Sequence, residues 1–309
     1  MSHSVGCRSI TAFDSVQNAA LSAWLLYPTD AVPQLEHFGS YSLPLAHDAA
    51  AARGNLPLVA LSHGNGSTPW VHRGLAADLA RAGFAVLMIE HPGNNRKDNS
   101  LGFSGAQGRV KSVLLTHRPR HVQLAVDGAL ADPLVGGALG TAGYAVIGES
   151  IGGYTALALA GGRAMTLPDD LDAALLAGPA NELAKHVIPV ATQPDPRVRA
   201  VVLFSPAIGF FMADDALANV DVPVMVRAGS EDRLCPWAQI SFCLRSLPPD
   251  RLQGFEVSGA GHFSFQTPYP RELAHLPSAQ DPAGFDREAY QLTLKQDVGG
   301  FLQAALAPR

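Results

Sequence analysis

Residues 146–157 read VIGESIGGYTAL, and this stretch decides the fold class that the rest of the sequence supports. The apolar run 144–148 leads into Ser150, which stands between Gly148 and Gly152, and an Ala/Leu-rich helical pattern follows at once. This is a G-x-S-x-G pattern at a strand-to-helix turn, where a serine takes a strained backbone conformation and flanking side chains would collide. The pattern predicts that Ser150 is an exposed nucleophile; a plain glycine-rich turn is the alternative.

Short apolar runs alternate with helical patterns along the chain, after an opening pair of runs at 7–13 and 20–27. This alternation predicts an α/β fold whose sheet has eight strands, is mostly parallel and carries helices on both faces. The opening pair predicts antiparallel strands at one edge. The other predicted strands are 56–62, 84–90, 144–148, 198–204, 222–228 and 252–259. Helices are predicted at 70–83, around 122–130, from Ile151, at 237–247 and at 286–306.

Two long stretches interrupt the alternation. Residues 92–118 are glycine-rich and polar, and they predict a long loop over one end of the sheet. Residues 162–197 contain several prolines and predict a small helical insertion, or lid, within a single domain of residues 1–309. Loops of this length in a compact fold are usually functional or mobile, so we expect both stretches to roof the site.

Composition excludes several classes of function. The 309 residues are 47% hydrophobic, which suffices for a large core, and the net charge of −5 without any basic block argues against a nucleic-acid partner. No apolar run reaches the length of a membrane span, and the first residues lack the apolar core of a signal peptide. Three cysteines without a C-x-x-C pattern indicate neither a disulfide framework nor a zinc site. A cytoplasmic location is expected.

A serine hydroxyl attacks only when a base takes its proton, so Ser150 requires a histidine. His262 lies in VSGAGHFSF, directly after the last predicted strand, where a base returns over the nucleophile. Gly259 and Gly261 give that loop freedom to turn. We predict that His262 is the base; a loop histidine with ordinary solvation is the alternative.

The base needs a carboxylate to orient it. Asp232 follows the predicted strand 222–228, at the strand end where α/β sheets build their sites. The chain order Ser150, Asp232, His262 then matches the order expected of this sheet. Three other carboxylates remain alternatives: Glu231, Asp214 and Asp215.

An oxyanion forms when the serine attacks, and it needs two amide donors. The loop after the predicted strand 56–62 reads SHGNGS, with two glycines beside Asn65, so the Asn65 amide is free to turn toward Ser150. The amide of Ile151, at the N-terminus of the following helix, is the second predicted donor. A plain glycine turn is the alternative for this loop, and His63 is expected to be structural.

The chain resembles the α/β-hydrolase superfamily along nearly its full length. More narrowly, it resembles predicted dienelactone hydrolases and platelet-activating-factor acetylhydrolase-like esterases. The matching stretches are LLYPT (25–29), SHGNGS (62–67), RAGFAVLMIEHPGNNRKD (81–98), RPRHVQLAVD (118–127), GESIGGYTALALAG (148–161), DPRVRAVVLFSPA (195–207) and GAGHFSF (259–265). The resemblance implies the α/β-hydrolase fold and the serine, histidine and acid roles.

Two residues depart from the pattern of that group. Glu149 stands where a histidine usually precedes the nucleophile, and Ser150 stands where dienelactone hydrolases proper have cysteine. The acetylhydrolase-like enzymes sometimes carry their acid one strand earlier, which keeps Asp214 and Asp215 open as alternatives.

Other motifs argue against metals and cofactors. His117 and His121 are spaced as a helical metal pair, but Pro119 lies between them and no third ligand is evident. No nucleotide-binding glycine motif is present, so no cofactor and no metal are predicted. Four aromatic side chains are candidates for an apolar acyl pocket, with core packing as the alternative for each: Trp70, Phe210, Phe211 and Phe263.

Together these patterns predict a serine hydrolase that cleaves a carboxylic ester of a small-molecule acyl substrate through an acyl-enzyme. The same residues acting on an amide, lactone or thioester, or transferring the acyl group to an acceptor other than water, form the second hypothesis. A binding protein with an idle triad is the non-enzymatic alternative.

Overall fold

The computed structural model describes residues 3–103, 111–171 and 179–307. The strands, numbered in chain order, are β1 (Ser4–Asp14), β2 (Ala19–Thr29), β3 (Gln34–Phe38), β4 (Tyr41–His47), β5 (Leu56–Ser62), β6 (Ala85–Glu90), β7 (Leu139–Glu149), β8 (Met165–Thr166), β9 (Ile188–Pro189), β10 (Val198–Phe204), β11 (Val224–Gly229) and β12 (Leu252–Val257). The α-helices are α1 (Arg73–Arg81), α2 (Ser112–Ala131), α3 (Ile151–Leu159), α4 (Ala180–Leu183), α5 (Trp237–Leu244) and α6 (Arg287–Ala305).

Within the described ranges, ten strands form one sheet in the order β12-β11-β10-β7-β5-β6-β2-β1-β4-β3. The six strands from β12 to β6 run parallel to one another, and β2 pairs antiparallel with both β6 and β1. The predicted mixed edge is therefore present. Because the central strands are parallel, their carboxyl ends meet at one edge, and this edge carries the site.

Side chains of the central strands alternate between two buried cores, one on each face of the sheet. Leu58 and Ala60 of β5 pack into the core under α2, α3 and α5, whereas Val59 and Leu61 pack into the core under α1 and α6. Strands buried on both faces read as continuous apolar runs, which explains why the pattern of β5 predicts its bounds so closely.

The sheet has two more strands than the eight predicted, because residues 34–47 form the hairpin of β3 and β4. Gly39 occupies the turn with φ 63°, and β4 joins the sheet edge parallel to β1. The buried side chains of β4 alternate as Tyr41, Leu43 and Leu45, and this signal was available in the sequence.

The prediction of a loop over 92–118 is wrong for its last residues, because α2 begins at Ser112 and continues through Pro119. Proline has no amide hydrogen, so the carbonyl of Leu115 loses its helical partner. The hydroxyl of Tyr154, on α3, donates to that carbonyl at 2.9 Å and replaces the missing bond. A neighbouring helix thereby makes a proline tolerable inside α2.

The stretch 162–197 carries the two-stranded sheet of β8 and β9 and the short helix α4. The remainder of the predicted insertion, 172–178, lies outside the described residues, as does 104–110 of the preceding loop. All three cysteines are buried free thiols. No helix in the described ranges is both long and apolar enough to cross a bilayer.

Candidate active site

Ser150 occupies the turn between β7 and α3 in a strained backbone conformation, with φ 52° and ψ −121°. Its amide donates to the carbonyl of Phe204 at 3.0 Å. Its carbonyl accepts from the amides of Gly153 and Ala207, each at 2.8 Å. Three backbone hydrogen bonds to surrounding elements therefore hold the turn in a conformation that serine alone disfavours.

The glycines on either side of Ser150 are required by close backbone approach. A Cβ atom on Gly148 would lie 2.1 Å from the carbonyl oxygen of Gly152. One on Gly152 would lie 2.0 Å from the carbonyl oxygen of Ser62, at the end of β5. The G-x-S-x-G spacing thus follows from the way that α3 packs directly against the strand ends.

The predicted base and its predicted carboxylate are hydrogen-bonded. Nδ1 of His262 donates to Oδ2 of Asp232 at 2.8 Å, and both side chains are buried. The other carboxylate oxygen of Asp232 accepts from the amides of Leu234 and Cys235 at 2.9 and 2.8 Å. Burial alone would raise the pKa of Asp232. The hydrogen bond and charge of His262, together with the hydrogen bond from the Cys235 amide, outweigh that effect, so the pKa of Asp232 lies below its ordinary value. Asp232 is therefore a fixed carboxylate that orients the imidazole.

The alternative carboxylates lie elsewhere. Asp214 is 98% exposed and forms an ion pair with Arg245 at 2.5 Å. Asp215 pairs with Arg163 on the surface, and Glu231 is exposed.

The loop after β5 approaches the serine closely. A Cβ atom on Gly64 would lie 3.4 Å from Cβ of Ser150, which leaves little space between the two backbones. The side-chain oxygen of Asn65 accepts from Nδ2 of Asn94 at 2.8 Å and from the amide of Phe103 at 3.0 Å. The Asn65 side chain therefore points into the following loop and fixes the backbone beside Ser150.

Arg118 lies fully buried beneath this loop and links it to α3, the helix that follows Ser150. Its guanidinium donates to Oγ of Ser62 at 3.0 Å, to the carbonyl of His63, to Oδ1 of Asn94 at 2.5 Å and to Oγ1 of Thr155 at 3.1 Å. All four acceptors are uncharged, so no carboxylate neutralises the cation directly. Burial lowers the pKa of Arg118 to about 9, which leaves the side chain charged at neutral pH.

Hydrogen bonding from Arg118 fixes the protons along a row of buried histidines. With Arg118 as donor to Ser62, the hydroxyl of Ser62 is free to donate to Nε2 of His91 at 2.9 Å. Nδ1 of His91 then donates to Nδ1 of His121 at 3.2 Å, and Nε2 of His121 donates to Oε1 of Gln17 at 2.7 Å. Each imidazole in this row is neutral and has one defined tautomer.

Burial supports the neutral forms. It lowers the pKa of His121 to about 3 and that of His91 well below its ordinary value, with the charge of Arg118 acting in the same direction. Burial and Arg118 likewise lower the pKa of His63 to about 3, and Nδ1 of His63 donates to the carbonyl of Gly64 at 2.7 Å. His63 is thus structural, as expected. Across the described ranges, no group of three or more His, Cys, Asp or Glu side chains is arranged to hold a metal ion.

Glu149, directly before the nucleophile, is a buried carboxylate with its own partners. Nε2 of His72 donates to Oε2 at 3.0 Å, and the amide of Gln266 donates to Oε1. Burial raises the pKa of Glu149, but the charges and hydrogen bonds of His72, His262 and Gln266 outweigh it and leave the pKa lowered. Both carboxylate oxygens of Glu149 therefore already accept hydrogen bonds, one from His72 and one from Gln266.

Ser150 and His262 both line a cavity of about 830 Å³ at the carboxyl edge of the sheet. Asn65, Phe210 and Phe263 also line it, whereas Ile151 lies buried at the start of α3. The described residues of 162–197 do not contribute to the wall. Seven apolar or aromatic side chains line it: Phe103, Ala207, Phe210, Leu234, Phe263, Tyr269 and Pro277.

Two of the predicted pocket residues lie in the core instead. Trp70 stacks on Phe38 with ring centroids 3.6 Å apart and packs against Trp24, beside the hairpin that the sequence patterns missed. Phe211 is fully buried and stacks on Tyr154. Both rings turn away from the cavity because neighbouring aromatic rings cover them.

Sequence patterns also missed several polar residues of the site. Arg118 precedes Val122 by four residues and so shares the buried face of α2, a position where a charged side chain signals a buried network. Arg96 and Tyr269, which line the cavity, lie in irregular segments and had no comparable signal.

Comparison with known proteins shows similarity at the level of structure. No protein-family model matches the chain, and no curated protein matches it. Solved structures do match, among them a ferulic acid esterase from Streptomyces cinnamoneus with 18% sequence identity and a TM-score of 0.63. The match covers 100% of this chain and 92% of that one. At this identity the likeness establishes the fold, and the chain has the α/β-hydrolase fold.

Proposed function

We propose that this chain is a serine hydrolase that cleaves carboxylic esters through an acyl-enzyme. The observation that carries the proposal is the 2.8 Å bond from His262, which lines the same cavity as the strained Ser150, to the buried Asp232. This chemistry requires a base beside the nucleophile and an acid that orients the base, and we assign these roles to Ser150, His262 and Asp232. The structural similarity to a ferulic acid esterase adds support, because that protein is an esterase with the same fold.

In the proposed reaction, Oγ of Ser150 attacks the ester carbonyl carbon while Nε2 of His262 takes the hydroxyl proton. Asp232 keeps Nδ1 protonated, so that Nε2 is the basic nitrogen, and it stabilises the imidazolium that forms. The tetrahedral intermediate collapses when His262 returns the proton to the alkoxide leaving group. Water, activated by the same imidazole, then hydrolyses the acyl-enzyme and restores the Ser150 hydroxyl.

The amides of Asn65 and Ile151 are the proposed donors to the oxyanion. The close approach of the Gly64 backbone to Ser150 supports the first, and the position of Ile151 at the N-terminus of α3 supports the second. Loss of one such donor typically costs about 10²–10³ in rate. Arg118 donates to the carbonyl of His63 and so places a buried positive charge beneath the loop that carries the proposed Asn65 donor.

The test of this function is hydrolysis of a short para-nitrophenyl ester by the parent and by Ser150→Ala. We expect the variant to keep the fold and to lose about 10⁴-fold or more in kcat, because no other group supplies the nucleophile. Ser241→Ala, an exposed serine on α5, is the matched control and should retain the parent rate. Near-normal turnover by Ser150→Ala would contradict the proposal.

The substrate class, the domain organisation and the cellular location are also part of the proposal. A small-molecule acyl substrate fits a mostly apolar cavity, and Ser150 in place of cysteine favours an acetylhydrolase-like esterase over a dienelactone hydrolase. We also propose that residues 1–309 form a single domain with an insertion at 162–197; the predicted lid role of this insertion gains no support from its described residues, which lie outside the cavity wall. A cytoplasmic location stays a prediction that is compatible with three free, buried cysteines.

A further inference from the structure

Arg96 gives the cavity a charge that the proposed reaction does not use. Glu149 and His262, which also face the cavity, have partners: Glu149 binds His72 and Gln266, and His262 binds Asp232. Arg96 is the one arginine or lysine in the described part of the wall. Its side chain forms no ion pair with any carboxylate in the described ranges. A cation without a carboxylate partner thus lines the same cavity as the aromatic side chains of Phe103, Phe210 and Phe263.

The backbone at Arg96 is firmly attached to the loop beside Ser150. Its amide donates to the carbonyl of Ser67 at 2.8 Å, and Ser67 pairs with Asn95 in an isolated β-bridge. The side chain of Asn95 in turn donates to the carbonyl of His91 at 2.9 Å. The start of the Arg96 side chain is therefore fixed relative to the nucleophile, while its guanidinium is exposed to solvent at the cavity.

The groups around Arg96 do not neutralise it. Burial raises the pKa of Tyr41, and the charges of Arg96 and Arg73, with weaker hydrogen bonding from Arg96 and Tyr269, oppose that rise without overcoming it. Burial also raises the pKa of Tyr269, another wall residue that the charge of Arg96 reaches. Both phenols are therefore neutral at physiological pH, and the guanidinium keeps its full charge for a ligand.

We propose that Arg96 makes this site select esters that carry an anionic group, such as a carboxylate, on an otherwise apolar chain or ring. The proposal rests on the proposed esterase function and specifies its substrate class. A guanidinium binds carboxylates through paired, charge-assisted hydrogen bonds, while the phenylalanines and leucine of the wall cover the apolar part. Placing such an anion beside an arginine that has no carboxylate partner in the described ranges is favourable, whereas a substrate cation there would be repelled.

The experiment measures kcat/KM for matched ester pairs. The para-nitrophenyl monoester of adipic acid and para-nitrophenyl hexanoate share the leaving group and chain length but differ in a terminal carboxylate. A second pair, meta-carboxyphenyl butyrate and phenyl butyrate, places the anion on the alcohol instead. The ratio of anionic to neutral kcat/KM is determined for the parent, Arg96→Gln, Arg96→Lys and Lys97→Gln. Lys97 is the adjacent exposed cation outside the cavity and serves as the control.

We expect Arg96→Gln to lower this ratio about 3- to 10-fold in at least one pair, as is typical of a partly exposed ion pair. The pair that responds identifies which side of the ester carries the anion. Arg96→Lys should retain part of the ratio, Lys97→Gln should retain all of it, and added salt should reduce it in the parent.

Three results would overturn the inference, and they are distinguishable. An unchanged ratio for Arg96→Gln in both pairs, with the parent still hydrolysing neutral esters, removes the anion selectivity and leaves the esterase function standing. A parent that hydrolyses none of the four esters, with no reaction of Ser150 toward a fluorophosphonate, removes both. An equal fall for Lys97→Gln would show only a general surface field and would also contradict a role specific to Arg96.

Discussion

Nδ1 of His262 donates to Oδ2 of Asp232 at 2.8 Å, across 30 residues of sequence. Asp232 is held in turn by two backbone amides of the loop that follows β11. The carboxylate therefore cannot follow the ring if the ring moves, and it fixes one tautomer of His262. That tautomer leaves Nε2 unprotonated on the ring that lines the cavity beside Ser150, which is the state a general base requires.

Asp232→Asn tests this relationship. The amide cannot hold the imidazole in the same tautomer or stabilise its charged form, so we expect kcat for a para-nitrophenyl ester to fall about 10³–10⁴-fold with KM little changed. Asp214→Asn, on the exposed alternative carboxylate, should keep the parent rate. A larger loss for Asp214→Asn than for Asp232→Asn would move the acid to the end of the preceding strand.

The strained backbone of Ser150 predicts an unusual order of stability. Glycine adopts φ 52° without a Cβ penalty, so we expect Ser150→Gly to unfold with a free energy about 1 kcal/mol higher than Ser150→Ala. The same pair at the exposed helical position Ser241 should show the opposite order by about 1 kcal/mol. Chemical denaturation of the four variants measures both differences. Equal stability of the two Ser150 variants would argue against strain at the turn.

Arg118 is expected to support both stability and rate. In Arg118→Met, four buried oxygens lose their donor, so the free energy of unfolding should fall by about 3–5 kcal/mol. Arg118→Lys keeps the charge but not the fork of donors, and it should fold well enough for kinetics. We expect its kcat to fall more than its KM rises, because the loop beside Ser150 carries the proposed Asn65 donor to the oxyanion. Parent values of kcat in Arg118→Lys would show that the network is structural only.

The buried neutral histidines make stability depend on pH. In the unfolded chain His63, His91 and His121 take up protons below about pH 6.5, whereas burial keeps them neutral in the folded state. The free energy of unfolding should therefore fall as the pH drops from 6.5 toward 4.5, by about 1.4 kcal/mol per pH unit for each histidine. His121→Gln should remove the contribution of one proton, about 1.4 kcal/mol per pH unit, from that slope. His275→Gln, at an exposed position, is the matched control and should leave the slope unchanged. An unchanged slope in His121→Gln would mean that the ring is protonated in the folded protein.

Much of the fold followed from the sequence because its central strands are buried on both faces. Such strands appear as apolar runs bounded by turns, and the predicted run 198–204 coincides with β10 (Val198–Phe204). The hairpin of β3 and β4 was missed because β3 is half-exposed and its pattern is weak. The sequence patterns missed the start of α2 at Ser112 because the residues there show no helical spacing of apolar side chains. Tertiary packing, which a local pattern does not show, decides where such a helix begins.

Site residues that are defined by backbone geometry were easier to anticipate than those defined by packing. The glycines around Ser150 predict a tight turn. Asp232 and His262 each follow a parallel strand, and the carboxyl ends of such strands lie at the same edge of the sheet. Trp70 was assigned to the pocket because its cover, Phe38, belongs to the missed hairpin. The direction in which an aromatic ring or Arg118 points depends on neighbours that are distant in sequence, and no local pattern encodes them.

The central claim is that one hydroxyl among the serines of this chain is activated as a nucleophile. Reaction of the native protein with a fluorophosphonate, followed by intact-mass and peptide mass spectrometry, tests this directly, because only an activated serine reacts rapidly. The account predicts one adduct per chain, located at Ser150, with none in Ser150→Ala and much slower formation in His262→Gln. An unmodified Ser150 in the folded protein, or an adduct at another residue, would contradict it.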